Sequence, residues 1–356
     1  MKKLEEIDKN FFIEVKIPKT DIKFYNVLEA PFKIYGVYYE NGLFRRMPEA
    51  VAQSVNDGVF SLHDRTAGGR IRFITDSPYI SVKVKMPRAY RVPQFSLVGT
   101  AGFDLYEKCD GRHSYINCFK MDFNFTDGYE QFIDVGNKGL CEYTINMPLF
   151  ASISELYIGL AENSTVLQAP EYTYKKPVVY YGSSITHGAC ASHPGMSYEQ
   201  IISRRIDCDY INLGFAGNAR GEEEIAKYIA SLDMSAFVYD YDHNAPTVEH
   251  LQKTHKRMFD IIRKKHSDLP IIIMQRPKRY LTNEEKERFK VIKATYDCAK
   301  DNGDQNVYLL DAQKLTELCG DEGRADNCHP NDLGFMSMAK AVGDVIEKIL
   351  NNLKEN

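Results

Sequence analysis

Tryptophan is absent from the 356 residues, whereas tyrosine occurs 23 times and phenylalanine 19. Any stacking surface for a flat ligand or a sugar must therefore be built from Tyr or Phe. An excess of charge is missing too: 45 Lys and Arg against 49 Asp and Glu leave a formal charge of −4, which offers nucleic acid no basic footprint. No apolar run is long enough to cross a bilayer, the best candidates being strand-sized stretches such as 270–274. Residues 1–10 alternate Lys, Glu and Asp without the apolar core of a secretory leader, so a cytoplasmic address with no membrane partner is expected. The eight cysteines (109, 118, 141, 190, 208, 298, 319 and 328) stand singly, with no Cys-x-x-Cys spacing for zinc or thiol exchange. Reduced, structural thiols and no metal are the expectation.

What is present divides the chain, whose length favours two domains. Residues 1–30 read as an arm of mixed charge. From 31 to 165 the text consists of short β-rich runs broken by turn residues, and Ile80-Ser81-Val82-Lys83-Val84-Lys85-Met86 alternates with the period of a strand buried on one face. Helical periodicity is nearly missing, which predicts an antiparallel β-sandwich of jelly-roll type. A polar, proline-bounded stretch over 161–177 reads as a boundary. From 175 to 356 strand and helix alternate, with strands predicted over 178–181, 210–213, 236–241, 271–274 and 307–310. Phe335, Met338, Val342, Val345, Ile346 and Ile349 form one apolar stripe at helical spacing. Five such units predict a five-stranded parallel sheet in an α/β/α sandwich, with its loops converging at one sheet edge.

Four segments at that edge carry candidate chemistry. In Val178-Val179-Tyr180-Tyr181-Gly182-Ser183-Ser184-Ile185-Thr186-His187-Gly188 an apolar strand stops at a small elbow with two hydroxyls, where open α/β sheets place a nucleophile. Ser184 is the candidate, with Ser183 as the alternative. In Asp326-Asn327-Cys328-His329-Pro330 a carboxylate precedes an imidazole by three residues, a spacing that lets it take the Nδ1 proton and leave Nε2 free for a hydroxyl. The glycine-rich loop 212–221 allows close backbone approach to a ligand, and lacks the Lys-Ser/Thr pair of a phosphate loop. In Tyr239-Asp240-Tyr241-Asp242-His243-Asn244 the Asn244 amide could donate to an oxyanion. Asp240, Asp242 and His243 would suit a metal, but no second ligand cluster completes one, and structural pairing is the better use.

With these blocks in view, the C-terminal half resembles the SGNH (GDSL-like) hydrolases. The resemblance implies Ser184 as nucleophile, Asp326 and His329 as its partners, and an oxyanion hole from Ser184, Gly217 and Asn244. Gly182-Ser183-Ser184 stands where the family has Gly-Asp-Ser, and Asp242-His243-Asn244-Ala245 where it has Gly-x-Asn-Asp. Gly102-Phe103-Asp104-Leu105-Tyr106 is similar to the GxDLY signature of a β-rich domain found ahead of one esterase branch. The implied activity is a serine esterase acting through an acyl-enzyme on a small acyl ester, acetyl above all, with a carbohydrate O-acetyl group among the candidates and no cofactor. An acyl-CoA or other thioesterase is the enzymatic alternative, against which no basic cluster for nucleotide phosphates is evident. A non-catalytic carbohydrate-binding protein is the other, and a homo-oligomer is compatible with either. Arg276, after the fourth predicted strand, could touch the substrate or form a salt bridge. His187 and His193 read as surface loop residues, Cys190 as a bystander, Asp104 as a structural hydrogen-bonding residue. His63-Asp64-Arg65 and Gly68-Gly69-Arg70 read as a polar loop, by default a solvated turn.

Overall fold

The computed structural model describes residues 4–8, 17–109 and 111–355, so most of the expected N-terminal arm up to residue 16 lies outside it. Ten strands build the two main sheets of the first half: β1 (Ile22–Asn26), β2 (Lys33–Tyr35), β3 (Arg70–Thr75), β4 (Tyr79–Lys85), β5 (Phe103–Cys109), β6 (Arg112–Phe119), β7 (Gly128–Asp134), β8 (Cys141–Asn146), β9 (Glu155–Ala161) and β10 (Val166–Gln168). They form two antiparallel sheets, ordered β1-β9-β4-β7 and β10-β3-β8-β5-β6, with β2 also pairing to β3. The alternation in β4 turns Ile80, Val82 and Val84 inward, where they meet Ile71, Phe73, Leu105, Tyr143 and Ile145 of the other sheet in one core.

Two expectations for this half are corrected. Helices exist here, at Glu49–Val55, Asp57–Leu62 and Leu97–Ala101. They are too short for periodicity to reveal them, and the second is set by Asn56, whose side chain accepts from the Val59 N–H. Nor are all thiols free: Cys109, closing β5, is bonded to Cys141, opening the neighbouring β8. The pairing is a product of strand register, which no Cys spacing encodes.

The second half holds β11 (Tyr174–Gly182), β12 (Cys208–Gly214), β13 (Ala236–Asp240), β14 (Ile271–Met274) and β15 (Val307–Leu310), all parallel and ordered β12-β11-β13-β14-β15. The central strand β11 is buried on both faces: Val179 and Tyr181 enter one core, Val178 and Tyr180 the other. Helices Tyr198–Ile206, Glu223–Ser231, Val248–Lys265, Asn283–Asp301 and Asp332–Glu355 follow the strands much as the periodicity predicts. Strand order reverses between β12 and β13 on either side of β11, so the end of β11 is the switch point of the sheet.

The two halves share cores. Met47, Ala52, Val59 and Leu62 pack with Phe215 and Ile225 on one face of the parallel sheet, and Ala67, Leu149 and Phe150 with Ile185 and Phe335 on the other. The outer edge of β12 is closed by arginines of the β-rich half. Arg70 donates to the Tyr210 carbonyl (3.2 Å), and Arg46 to those of Asn212 (3.2 Å) and Gly214 (2.7 Å), taking alternate acceptors along a free sheet edge. The region 63–70 is therefore not a solvated turn: His63, Asp64, Arg65 and Arg70 are all buried.

Candidate active site

The parallel register brings the sequence-predicted residues together. Gly182 of β11 pairs with Gly214 of β12 and with Asp240 of β13, so Ser184, Gly217 and Asn244 all lie just past the carboxyl ends of adjacent strands. Ser184 opens a one-turn helix, Ser184–His187, that packs against β12 so closely that a Cβ on Gly214 would stand 2.3 Å from the His187 nitrogen. Thr186 ties this turn down by donating to Asp240 (2.7 Å), and Asn212 donates to the Thr186 carbonyl (2.6 Å). Ser183 is committed elsewhere, its hydroxyl capping the turn by accepting from the Ile185 N–H at 3.1 Å.

The Ser184 hydroxyl stands 2.9 Å from His329 Nε2, and His329 Nδ1 stands 2.8 Å from Asp326 Oδ2. The other Asp326 oxygen accepts from the backbone N–H groups of Cys328 and His329, each at 2.7 Å. Partial burial works against that carboxylate, but the His329 and Cys328 N–H groups and the imidazole outweigh it and hold its pKa below the ordinary value. The ring of Phe95, from the β-rich half, meets the His329 imidazole edge-on at 6.2 Å and packs on Phe150.

Gly217 is left-handed at φ 71°, and the space where a Cβ would sit is open. Among the described residues, neither the N–H of Ser184, nor that of Gly217, nor the Asn244 amide nitrogen donates to a protein acceptor. These three donors lie just past the carboxyl ends of three neighbouring strands. Arg276 takes the alternative role weighed for it: its guanidinium pairs with Glu285 (2.6 Å) and donates to the Cys328 sulfur (3.3 Å) in the loop that carries Asp326 and His329. Asp242 accepts from the Arg276 N–H (3.1 Å) and contacts His243 (2.5 Å), so these acids pair structurally.

The donor atoms of Cys190, Asp326 and His329 lie within 4.8 Å of one another. That grouping is poorly suited to a metal, because the carboxylate and imidazole already bond each other and burial pushes the Cys190 thiol up to about 12. His187 is not at the surface: it is fully buried, stacked on Phe150 at 4.0 Å, and burial drives its pKa well below the ordinary value. His193 is half-buried, with Nδ1 2.5 Å from Asp104. Asp104 also accepts from the Gly195 N–H (2.5 Å) and from the Asn146 amide (2.6 Å), anchoring the loop that follows the Ser184 turn to β5 of the sandwich. Sequence reasoning missed Phe95 and Phe150, which carry no signal beyond their apolarity.

A parallel sheet of order 2-1-3-4-5 with this cluster at its switch point defines an SGNH-type hydrolase fold. The chain belongs to the GDSL-like lipase/acylhydrolase family, whose model matches residues 175–347, and it is a carboxylic ester hydrolase. Residues 22–166 match the GxDLY model, the N-terminus of SGNH-hydrolase-type esterases. The structure is similar to a protein from Bacteroides ovatus ATCC 8483 assigned as a GDSL-like lipase, at TM-score 0.82 and 30% identity over 93% of this chain and 98% of that one. It shares its fold with a salicylyl-acyltransferase of a tetracycline biosynthetic pathway (TM-score 0.73, 18% identity, 91% and 96% of the two chains). It shares it also with an acetyl xylan esterase from the rumen bacterium Butyrivibrio proteoclasticus (TM-score 0.60, 11% identity, 93% and 99%). No curated protein matches the chain.

Proposed function

We propose that the protein is a serine esterase that removes a small acyl group, acetyl above all, through an acyl-enzyme on Ser184, with an acetylated sugar as the natural alcohol. The observation that carries this reading is the unbroken relay from the Asp326 carboxylate through His329 to the Ser184 hydroxyl, at 2.8 and 2.9 Å. His329 Nε2 takes the hydroxyl proton as Oγ attacks the ester carbonyl, and Asp326 holds the imidazole in the tautomer that leaves Nε2 free. The oxyanion is received by the N–H groups of Ser184 and Gly217 and the Asn244 amide, which have no other acceptor to leave. His329 then protonates the departing alcohol and later activates water against the acyl-enzyme.

An apolar chamber of about 260 Å³ beside the relay, lined by Leu62, Tyr90, Val92, Phe95, Phe150 and Ala216, supports a compact substrate and gives a sugar ring aromatic faces to rest on. Short-chain p-nitrophenyl esters and an acetylated-sugar panel test the reading. Ser184→Ala is expected to fold as the parent does and to lower kcat by roughly 10⁴-fold or more. A folded Ser184→Ala that hydrolyses at the parental rate would remove the nucleophile from this account.

A further inference from the structure

The chamber beside His329 borders a second hollow. A groove of about 690 Å³ on the β-rich half shares Ser61 and Tyr90 with it and is walled by Arg65, Arg88 and Arg91. These three side chains are spread over 27 positions of sequence, Arg88 and Arg91 in a basic run with Lys83 and Lys85 and Arg65 well before it; strand pairing near β4 and the turn after the helix Asp57–Leu62 bring them to one place.

The charges in the groove do not balance. One carboxylate, the fully buried Asp64, serves two of the arginines: Arg65 at 2.5 Å and Arg88 from the solvent side. Among the described residues Arg91 is engaged by a neutral acceptor alone, the Phe125 carbonyl, with its guanidinium 4.7 Å from the Phe125 ring. Among the described residues, no acidic side chain lines the groove. Arg65 is itself buried, lies 4.9 Å from the ring of Tyr90, and its Nε finds no acceptor among the described residues. Tyr90 responds to the same field: a hydrogen bond with Ser61 and the neighbouring Arg65 and Arg88 hold its phenol below the ordinary value despite partial burial. Three guanidinium groups, one acid and an unsatisfied buried donor are what a site built for an anion requires, and arginine forks match carboxylate and phosphate oxygens.

We propose that this groove is an anion subsite of the esterase: the substrate is an ester whose portion remote from the reacting carbonyl bears a carboxylate or a phosphate, held by Arg65, Arg88 and Arg91 while the acyl carbon lies at Ser184. The inference rests on the esterase reading for the position of the reacting end, and on the groove alone for the charge. Binding energy from the remote group is then available to orient the ester over the seryl hydroxyl, and a positive groove with low-dielectric walls draws an anionic substrate to it.

The test compares substrates that differ in charge and little else. One pair is an O-acetylated hexuronic acid and its primary amide; the other is an O-acetylated hexose 6-phosphate and the same acetylated hexose without the phosphate. The parent is expected to favour the charged member of one pair in kcat/KM by about 10-fold or more at low salt, with the preference shrinking as ionic strength rises. The pair that responds tells a carboxylate from a phosphate. The double variant Arg88→Gln, Arg91→Gln, which leaves buried Arg65 in place, should bring that ratio close to one; because the readout is a ratio within one preparation, a general loss of activity cancels. Ratios near one in both pairs for the parent, or a preference that the double variant retains, would overturn the subsite. Calorimetric binding of the same two pairs to Ser184→Ala, with and without the arginine changes, decides the charge question independently of turnover. If the parent hydrolyses no ester while charge-dependent binding persists, the esterase reading falls and the anion site stands.

Discussion

Two adjacent serines end the central strand with identical functional groups, and what separates them is the partner each hydroxyl has found. Ser183 spends its oxygen on the Ile185 N–H, as an N-cap does, whereas Ser184 faces His329 Nε2 at 2.9 Å. Replacing Ser183 with alanine should therefore cost about 1 kcal/mol of stability, read from the denaturation midpoint, while ester hydrolysis persists. Hydrolysis lost with Ser183→Ala and kept with Ser184→Ala would reverse the assignment. Asp326 holds the imidazole from one oxygen and its own loop from the other. An asparagine there can keep the loop but can present an N–H to Nδ1, so Asp326→Asn should fold and lose up to about 10⁴-fold in kcat. Unchanged kcat would show that the tautomer is set by something else.

At the level of elements, the one-turn helix after β11 is held by contacts that tolerate little. Gly214 leaves no room for a Cβ beside the His187 nitrogen, while Gly217 has open space but a left-handed backbone. The two glycines should thus fail differently. Gly217→Ala is expected to cost about 1–2 kcal/mol from backbone strain alone, and Gly214→Ala to cost more and to displace Ser184, so that activity falls further than stability predicts; comparison of melting temperature with kcat for both variants checks this. Beneath the same turn, Asp240 is fully buried and burial raises its pKa from 3.8 to about 6. A carboxyl whose folded pKa lies above its unfolded one binds its proton more tightly when folded, so its contribution falls away as pH rises through that window and is a net cost above pH 6. Asp240→Asn keeps an acceptor for Thr186 and removes the ionisation. The Tm gain of this variant should be small near pH 4 and grow to a plateau above pH 6; a gain independent of pH would assign the effect to packing.

Across the whole molecule, the β-rich half closes the exposed edge of the parallel sheet, supplies Phe95 against His329, and anchors through Asp104 the loop that follows the Ser184 turn. Arg70 is the clearest single tie, fully buried with its guanidinium 4.0 Å from the Tyr210 ring and paired to Asp209. Arg70→Met should destabilise by roughly 3–5 kcal/mol, since it leaves the acid and the strand carbonyl without their donor. With cores shared between the halves, unfolding is expected to remain one transition in denaturant, followed by near- and far-ultraviolet circular dichroism together; two separated transitions would mean that the halves are independent.

Local pattern carried much of this architecture. Period-two alternation in β4, strand and helix rhythm after residue 175, the small elbow at Gly182-Ser183-Ser184 and the three-residue interval from Asp326 to His329 are properties of neighbours along the chain, and neighbours can be read from text. Tertiary structure decided which groups meet from a distance: the bond between Cys109 and Cys141, the burial of His187 and of residues 63–65, the pairing of Arg276 with Glu285, and the gathering of Arg65, Arg88 and Arg91 in one groove. Burial and ion pairing depend on which strands lie side by side, and strand order in a sheet is set by the packing of the whole chain. The seryl relay stands on both sides of that line, since its residue types are written in two short segments and its 2.9 Å contact exists only because the fold brings them together.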